Sequence, residues 1–381
     1  MKQTARTAIL LATVLLASAC AGTAAPAAKV RTLYVAAGGG GVKCERADPC
    51  GSFEAGYRAA RPGNRIVVAG GAYGPQVIPT LGRARPRIEF TAARGERVTV
   101  AGLDIRADHL VVRRIKSSAH LNVDSQVPDD FVDDVTLVDA AATTHVLVGT
   151  RDFVWRGGSI GPKVDEKLAF IAGRPTNYRV TYDRVTWHDA TRTNADVHTE
   201  CLMVLGVQGL TIKNSRFTNC AVFDILISRL GGDPLSRDIV IENTVLEASK
   251  DVDGSDGYQS LLTGTDPIDG LTLRNNTWDL GMAFQGPITR GHFVGNIGRV
   301  ASCADGVNYS RNVFTDRRCG ATDRLVRGAF SQFVNPQKGD WRLARGAAAI
   351  GAADARNHPK RDARGARRDG RPDAGAYEYK G

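Results

Sequence analysis

The sequence has little methionine, few aromatic residues and few long helical patterns. The 381-residue chain holds 3 Met, and Phe, Trp and Tyr together make up 7% of it. No helical repeat of about 33 residues is present, which speaks against an α-solenoid. The glycine run at 38–41 is not followed by Gly-Lys-Ser/Thr, so it does not predict a phosphate-binding loop. Short runs of Val, Ile, Leu and Thr between Gly, Asn and Asp indicate β-strands instead.

Features typical of nucleic-acid-binding proteins are also missing. We find no zinc-finger spacing, helix-turn-helix or aromatic-basic platform, so no nucleic-acid partner is predicted. The formal net charge is +10. Because a basic exported protein attracts acidic polysaccharide, anionic lipid or DNA, the charge alone leaves the partner open. Part of it lies in a C-terminal run that we interpret as a solvated tail interleaved with Asp: Arg356, Lys360, Arg361, Arg364, Arg367, Arg368 and Arg371.

What the chain does contain is an internal repeat. Three segments align without gaps, LTIKNSRF (210–217), IVIENTVL (239–246) and LTLRNNTW (271–278), and VTYDRVTW (180–187) is a looser copy. Their last residues, Trp187, Phe217, Leu246 and Trp278, are 30, 29 and 32 residues apart. This period predicts one coil of a β-solenoid per repeat. We interpret the Asn steps as a ladder of left-handed turns: Asn214, Asn243 and Asn275.

The first residues are typical of an export signal. Lys2 and Arg6 precede an apolar stretch at 8–16 and the small residues at 17–19, so residues 1–20 are predicted to be a signal peptide. Cys20 follows the small residues as in a bacterial lipobox, which predicts a lipid-anchored protein; a soluble secreted form is the alternative. Residues 21–31 would then be a tether. The predicted localisation is therefore outside the cytoplasm.

The remaining cysteines favour disulfides in an oxidising compartment. Six of the seven are left once Cys20 is set aside, and they lie close together in pairs. Sequence alone allows many connectivities, and sequential pairing is the most economical one. The predicted disulfides are Cys44–Cys50, Cys201–Cys220 and Cys303–Cys319.

The segments before and after the repeats resemble the caps of known β-helix proteins. The segments LYVAAGGG (33–40) and PCGSFEAGYRAARPGNRIVVAGGAY (49–73) resemble the N-terminal cap of the pectate-lyase-like superfamily, with Asn64 at the usual Asp position. Ser52 is placed to N-cap a helix that covers the first coil. The segments DWRLARGAAAIGAAD (340–354) and DGRPDAGAYEY (369–379) resemble the closing segment of bacterial β-helix proteins, with Ala348, Ala349 and Gly351 as departures.

The resemblance implies an all-β fold, namely a right-handed, single-stranded parallel β-helix with a short N-terminal capping helix. The predicted domain covers residues 32–381, with an N-terminal cap at 32–65 and a C-terminal cap segment at 335–381. Lyases, hydrolases, epimerases and non-enzymatic surface proteins share this fold, so the resemblance leaves the activity open.

Chemically active residues are densest in WHDATRTNADVHTEC (187–201). Asp196, His198 and Glu200 alternate there, so an extended strand would place them on one face. Aligning the apolar runs of neighbouring coils predicts a column of Lys167, Glu200, Asp224 and Gln259, whose members would lie about 4.8 Å apart. Two carboxylates at that spacing repel each other unless a cation or a proton compensates.

The repulsion between Glu200 and Asp224 can be compensated in three ways, and each implies a different function. A Ca²⁺ held by Glu200, Asp224 and Asp196, with Lys167 or Arg229 as base, would give a lyase acting by β-elimination, as the resemblance implies. A shared proton would make Glu200 and Asp224 the carboxyl pair of a glycoside hydrolase. Pairing with His198 or Lys167 would leave a structural column. The predicted partner is a polysaccharide, in particular an acidic one, bound by a monomer, and the alternative to catalysis is binding without turnover.

Overall fold

The computed structural model describes residues 30–127, 129–194, 196–248 and 258–381. The predicted signal peptide, Cys20 and the tether up to residue 29 lie outside the described residues. No helix among the described residues has the length and apolar character needed to cross a membrane.

The first half of the chain consists of short strands and one helix. Its elements are β1 (Thr32–Val35), α1 (Phe53–Ala59), β2 (Arg65–Val68), β3 (Gly71–Tyr73), β4 (Gln76–Ile78), β5 (Ile88–Ala92), β6 (Val98–Val100), β7 (Leu103–Ile105), β8 (Leu110–Arg113), β9 (Ile115–Ser117), β10 (His120–Asp124), β11 (Val132–Asp133), β12 (Val135–Ala142), β13 (Thr144–Val148), β14 (Thr150–Arg151), β15 (Val154–Ile160), β16 (Lys163–Val164), β17 (Ala169–Ile171), β18 (Asn177–Asp183) and β19 (Thr186–Thr191).

The second half continues the same pattern. Its elements are β20 (Leu202–Leu205), β21 (Val207–Lys213), β22 (Arg216–Cys220), β23 (Phe223–Ser228), β24 (Arg237–Glu242), β25 (Val245–Ala248), β26 (Gln259–Thr263), β27 (Ile268–Arg274), β28 (Thr277–Trp278), β29 (Met282–Phe284), β30 (Ile288–Thr289), β31 (Gly291–Val294), β32 (Ile297–Gly298), β33 (Val307–Ser310), β34 (Val313–Phe314), β35 (Arg324–Leu325), the 3₁₀ turns Ala329–Gln332 and Pro336–Lys338, β36 (Phe333–Asn335) and β37 (Asp340–Leu343).

These strands stack into a right-handed parallel β-helix, as the sequence predicts. One parallel sheet, here called the narrow sheet, runs in the order β4, β7, β10, β13, β17, β20, β23, β26 and β29. The other parallel strands belong to one large sheet that winds around the rest of each coil. Within the described residues, the antiparallel pair of named strands is β36 with β37. Buried apolar residues from both sheets fill the interior.

The repeat predicted from sequence sets the register of the coils. Trp187 is paired with Phe217, Phe217 with Leu246, and Leu246 with Trp278. All four side chains are buried, and the rings of Trp187 and Phe217 stack with centroids 4.3 Å apart. Each repeat therefore contributes one large apolar residue to a continuous column in the core.

The N-terminal capping helix forms where the sequence predicts it. The Ser52 hydroxyl accepts a hydrogen bond from the backbone N–H of Ala55 at 3.1 Å, as an N-cap does. Phe53 and Tyr57 are buried, and the Phe53 ring stacks on Phe90 with centroids 5.3 Å apart. The apolar face of α1 thus covers the first coils and shields the end of the core.

Asparagine side chains form two ladders along the coils. Asn214, Asn243 and Asn275 have φ of 53°, 49° and 51°, which confirms the predicted left-handed turns, and Asn243 donates to Asn214 at 3.1 Å. A second, fully buried ladder was not predicted. In it, Asn276 donates to Asn296, Asn296 to Asn312 and Asn312 to Asp323, over 2.9–3.2 Å. This second ladder satisfies polar groups that would otherwise be unpaired in the interior.

The three predicted disulfides are confirmed, and they join Cys44 to Cys50, Cys201 to Cys220 and Cys303 to Cys319. Disulfides persist mainly in oxidising compartments, so they support a location outside the cytoplasm.

The C-terminal segment packs against the side of the last coils. Gly375 donates its N–H to the carbonyl of Gly295 at 2.7 Å, and the Arg368 guanidinium donates to Asn243 at 3.0 Å. Arg368 is fully buried and paired with Glu378 at 2.9 Å. The interpretation of the basic run as a solvated tail is therefore wrong for Arg368, because the charge is neutralised inside the segment.

Candidate functional site

The candidate site lies where β17, β20 and β23 begin, on neighbouring coils of the narrow sheet. Ala169 is paired with Leu202, and Leu202 with Ile225. Continuing this register two residues back places Lys167 beside Glu200, as the sequence predicts, and places Glu200 beside Phe223. Phe223 in turn is paired with Gln259.

Asp224 is therefore not in the predicted column. It lies one position further along, in line with Cys201 and Ser260. The predicted alignment is wrong here because Phe223 belongs to the strand. It packs in a small apolar cluster beside the main core, against Leu226 and Leu262. A slip of one residue moves a side chain to the other face of a strand, so Asp224 has different neighbours from Glu200.

Glu200 is a buried carboxylate with two basic neighbours. Its side chain is 0% exposed; one oxygen is 3.7 Å from the Lys167 ammonium and the other 3.2 Å from Nδ1 of His198. The side chains of Lys167 and His198 are 35% and 66% exposed. Of the three predicted compensations, pairing with Lys167 and His198 is the one that this geometry shows. A covered acid thus orients an imidazole that faces solvent.

The buried carboxyl group of Asp224 is accommodated differently from that of Glu200. It is fully buried, and the Tyr258 hydroxyl donates to one of its oxygens at 3.3 Å. Its second oxygen has no hydrogen-bond partner within the described part of the chain. Burial, together with the nearby charges of Asp279 and Glu247, raises the pKa of Asp224 well above its usual range. The raised pKa favours the uncharged form of this carboxyl group, which reduces the need for a cation at this position.

Sequence reasoning missed Asp279 and Glu247 as neighbours of Asp224. A signal was available: both acids directly follow the closing apolar residue of a repeat, Trp278 and Leu246, which are paired. Residues that follow paired positions are themselves neighbours on adjacent coils.

The remaining predicted site residues, Arg229 and Asp196, have other hydrogen-bond partners. Arg229 donates to the backbone of Asp233 at 2.6 Å and to Asp266 at 3.1 Å. It follows the far end of β23, which separates it from Asp224 by roughly 16 Å at about 3.3 Å per residue. Asp196 is exposed, and its backbone N–H donates to Asn194 at 2.9 Å.

The three predicted calcium ligands do not form a common set. Glu200 is already paired with two bases, burial raises the pKa of Asp224, and Asp196 is exposed. In residues 30–127, 129–194, 196–248 and 258–381, no group of three or more His, Cys, Asp or Glu side chains is arranged to hold a metal ion. Calcium dependence stays a prediction.

Comparisons with known proteins bear on the fold. No family model and no curated protein matches the sequence. Pectate lyase Pel9A superposes with a TM-score of 0.53 over 92% of this chain and 98% of its own, at 12% identity. The lacto-N-biosidase of Eubacterium ramulus gives a TM-score of 0.33 at 9% identity, over 77% of this chain and 65% of its own. A rhamnogalacturonan lyase gives 0.32 at 10% identity, over 80% of this chain and 90% of its own.

The last two scores are too low to support an argument. At 12% identity the first shows the fold alone. On the long parallel sheets, the capping helix and this superposition, the chain has a pectate-lyase-like right-handed parallel β-helix fold.

Proposed function

We propose that this protein is an exported lyase that cleaves an acidic polysaccharide by β-elimination, with His198 as the base. One observation carries the proposal: an exposed imidazole is hydrogen-bonded through Nδ1 to the fully buried Glu200, next to the Lys167 ammonium. A base oriented by a buried carboxylate is a recurring arrangement in enzymes that transfer protons. The fold supports a polysaccharide partner by analogy, since Pel9A is named a pectate lyase.

Each residue has a separate task in the proposed step. Lys167 neutralises the carboxylate of a uronate unit, which makes the adjacent C5 proton more acidic. His198 takes that proton at Nε2, since Nδ1 is held by Glu200. The electrons of the broken C5–H bond form the C4–C5 double bond, the C4–O bond breaks, and the leaving oxygen takes up a proton from solvent. Glu200 stabilises the imidazolium that results.

Binding without turnover is the second candidate, and the burial of both acids favours it. Glu200 and Asp224 are each 0% exposed, so neither reaches a sugar without movement of its neighbours. The same burial counts against a glycoside hydrolase, because both carboxyl groups of such an enzyme must flank the scissile bond. In the proposed lyase step only exposed groups touch the substrate.

The test is the ultraviolet absorbance of unsaturated uronate products. Purified protein is incubated with a panel of uronic-acid polymers, with and without calcium, and reducing ends are measured in parallel. We expect absorbance to rise with at least one polymer. Release of reducing ends without a rise in absorbance would mean hydrolysis. No signal in either assay, with binding retained, would favour the non-catalytic candidate.

Variants assign the roles. His198→Ala and Lys167→Ala should each lower turnover by about 100-fold or more, as the loss of a general base commonly does. The matched control is His188→Ala, which removes another imidazole paired with an acid, Asp189, at 2.8 Å. Equal activity of His198→Ala and the control would rule out His198 as the base.

Lipid anchoring through Cys20 is proposed separately, because that residue lies outside the described residues. Metabolic labelling with a fatty acid, compared between the wild type and Cys20→Ser, distinguishes an anchored from a soluble exported protein. Labelling that persists in Cys20→Ser would contradict this attachment site.

A further inference from the structure

A second charged surface lies on the C-terminal segment. One concave region is lined by His358, Lys360, Arg361, Arg367 and the buried Arg368, with Asp369 and Gly370. A neighbouring one is lined by Arg311, Arg356 and Arg371, with Asp354 and Gly370 among others. Gly370 lines both, so the two regions adjoin, and together they are here called the arginine groove. Cations outnumber acids in its lining by seven to two.

The cations of the arginine groove are poorly compensated. Within the described residues, no ion pair engages the exposed side chains of Arg356, Lys360, Arg367 or Arg371. The backbones of Arg361 and Arg367 form an antiparallel bridge, so two like charges face each other directly across it. Such a pair is destabilising unless a counter-charge lies between the partners. An anionic ligand would supply that counter-charge.

Contacts with the coils hold the groove in shape. The carbonyl of Arg361 accepts from Asn243 at 2.7 Å, and Arg368 donates to the same Asn at 3.0 Å. Asp362 is buried and accepts from the N–H groups of Arg364 and Ala366 at 2.8–2.9 Å, which fixes the turn between them. A preorganised groove loses little conformational entropy on binding.

We infer that the arginine groove is a binding site for an acidic polysaccharide, separate from the Glu200 site. Guanidinium groups pair with carboxylates or sulfates through two parallel hydrogen bonds, which favours a chain of repeated anionic sugars. No Phe, Tyr or Trp lines the two regions, so the stacking platform that single-stranded nucleic acids use is missing from these described residues. The large apolar side chains that are exposed lie outside residues 354–371, which speaks against insertion into a membrane.

The polymer class is shared with the proposed function, but the inference rests on different residues. Binding of the whole protein to immobilised polygalacturonate is measured for the wild type and for the triple variant Lys360→Gln/Arg367→Gln/Arg371→Gln. The matched control is Arg179→Gln/Arg290→Gln/Arg299→Gln, which removes the same charge from exposed arginines that are paired with Asp152, Asp269 and Asp316. We expect about tenfold weaker binding for the groove variant, and less than about threefold for the control.

Equal losses in the two triple variants would overturn the inference, since net charge alone would then explain binding. No loss in the groove variant would overturn it too, as would tighter binding of a single-stranded oligonucleotide at the same salt concentration. Tryptic cleavage of the wild type tests the arginine groove without any substitution. Polygalacturonate should slow cleavage after Lys360 and Arg367 at least threefold, and no protection would contradict the site.

The two proposals can fail separately. His198→Ala tests turnover, and the groove variant tests binding. If His198→Ala retains full turnover while the groove variant loses binding, the proposed function fails and the arginine groove stands.

Discussion

At the residue scale, three buried ionisable side chains are accommodated in three ways. Glu200 is paired with Lys167 and His198. The pKa of Asp224 is raised well above its usual range by burial and by its acidic neighbours. His145 stays neutral, because complete burial lowers its pKa to about 4. The last two cases make stability depend on pH, with opposite signs.

For Asp224, the folded state holds its proton to a higher pH than the unfolded chain does. Its contribution to the free energy of unfolding is therefore full below the ordinary pKa of Asp and is lost as the pH rises towards the folded-state pKa. Each unit of pKa shift corresponds to about 1.4 kcal/mol. Asp224→Asn cannot ionise, so we expect it to gain stability relative to the wild type between about pH 4 and about pH 8.

Urea unfolding at the two pH values measures this difference. The exposed Asp139→Asn is the control, and its stability relative to the wild type should not change with pH. A difference between Asp224→Asn and the wild type that is the same at both pH values would contradict the raised pKa.

For His145 the sign is reversed. Its Nδ1 donates to the carbonyl of Leu121 at 2.5 Å, and its ring lies against Trp155, with centroids 4.9 Å apart. Below the ordinary pKa of His, 6.5, the unfolded chain takes up a proton that the folded state binds only near pH 4. We expect a loss of about 3 kcal/mol in the free energy of unfolding over this range.

The measurement compares the wild type with His145→Gln, which keeps a donor but does not titrate. The loss on acidification should be smaller in the variant, whatever its stability at neutral pH. The exposed His292→Gln should behave like the wild type. If His145→Gln and the wild type lose the same stability on acidification, His145 is not the group responsible.

At the element scale, the buried Asn ladder ties successive coils together. Asn296 accepts from Asn276 and donates to Asn312 and to the carbonyl of Leu273, at 2.8–3.2 Å. Asn296→Ala leaves these buried groups unpaired, so it should lower the free energy of unfolding by about 3 kcal/mol. The exposed Asn308→Ala on β33 should change it by less than about 0.5 kcal/mol. Similar small effects of both substitutions on thermal unfolding would show that the ladder adds no stability.

Sequence alone predicted much at this scale. The strict apolar alternation and the closing residues Trp187, Phe217, Leu246 and Trp278 fixed the register, because each must enter the core at the same point of its coil. The second ladder was missed because Asn296 and Asn312 lie in shorter coils without the repeat motif. Their separation is 16 residues, about half that of the aligned repeats.

The site was predictable only in part. Alternation in the segment before β20 correctly placed His198 and Glu200 together, and the apolar runs correctly placed Lys167 beside Glu200. Asp224 was misplaced because apolar runs do not reveal that Phe223, which packs on a side cluster, already belongs to its strand. Electrostatic effects between distant parts of the chain, such as that of Asp279 on the pKa of Asp224, lie beyond any local pattern.

At the scale of the whole molecule, the C-terminal segment is fastened to coils more than a hundred residues earlier in the chain. Arg368 links Asn243 with Glu378 and with the carbonyls of Asp373 and Gly375, all at 2.8–3.0 Å. Such a buried pair adds little over an apolar one, but removing a single partner leaves an uncompensated charge. Arg368→Met should therefore destabilise the segment by about 3–5 kcal/mol.

Limited proteolysis and thermal unfolding test this fastening. In Arg368→Met we expect faster cleavage within residues 335–381, while the disulfide-linked coils before β36 stay resistant. The neighbouring exposed Arg367→Met controls for the loss of a tryptic site and of one charge. The double variant Arg368→Met/Glu378→Gln no longer buries a lone carboxylate, so it should regain part of the stability. If the double variant is as labile as the single one, packing of the Arg368 side chain holds the segment in place and the buried charge pair does not.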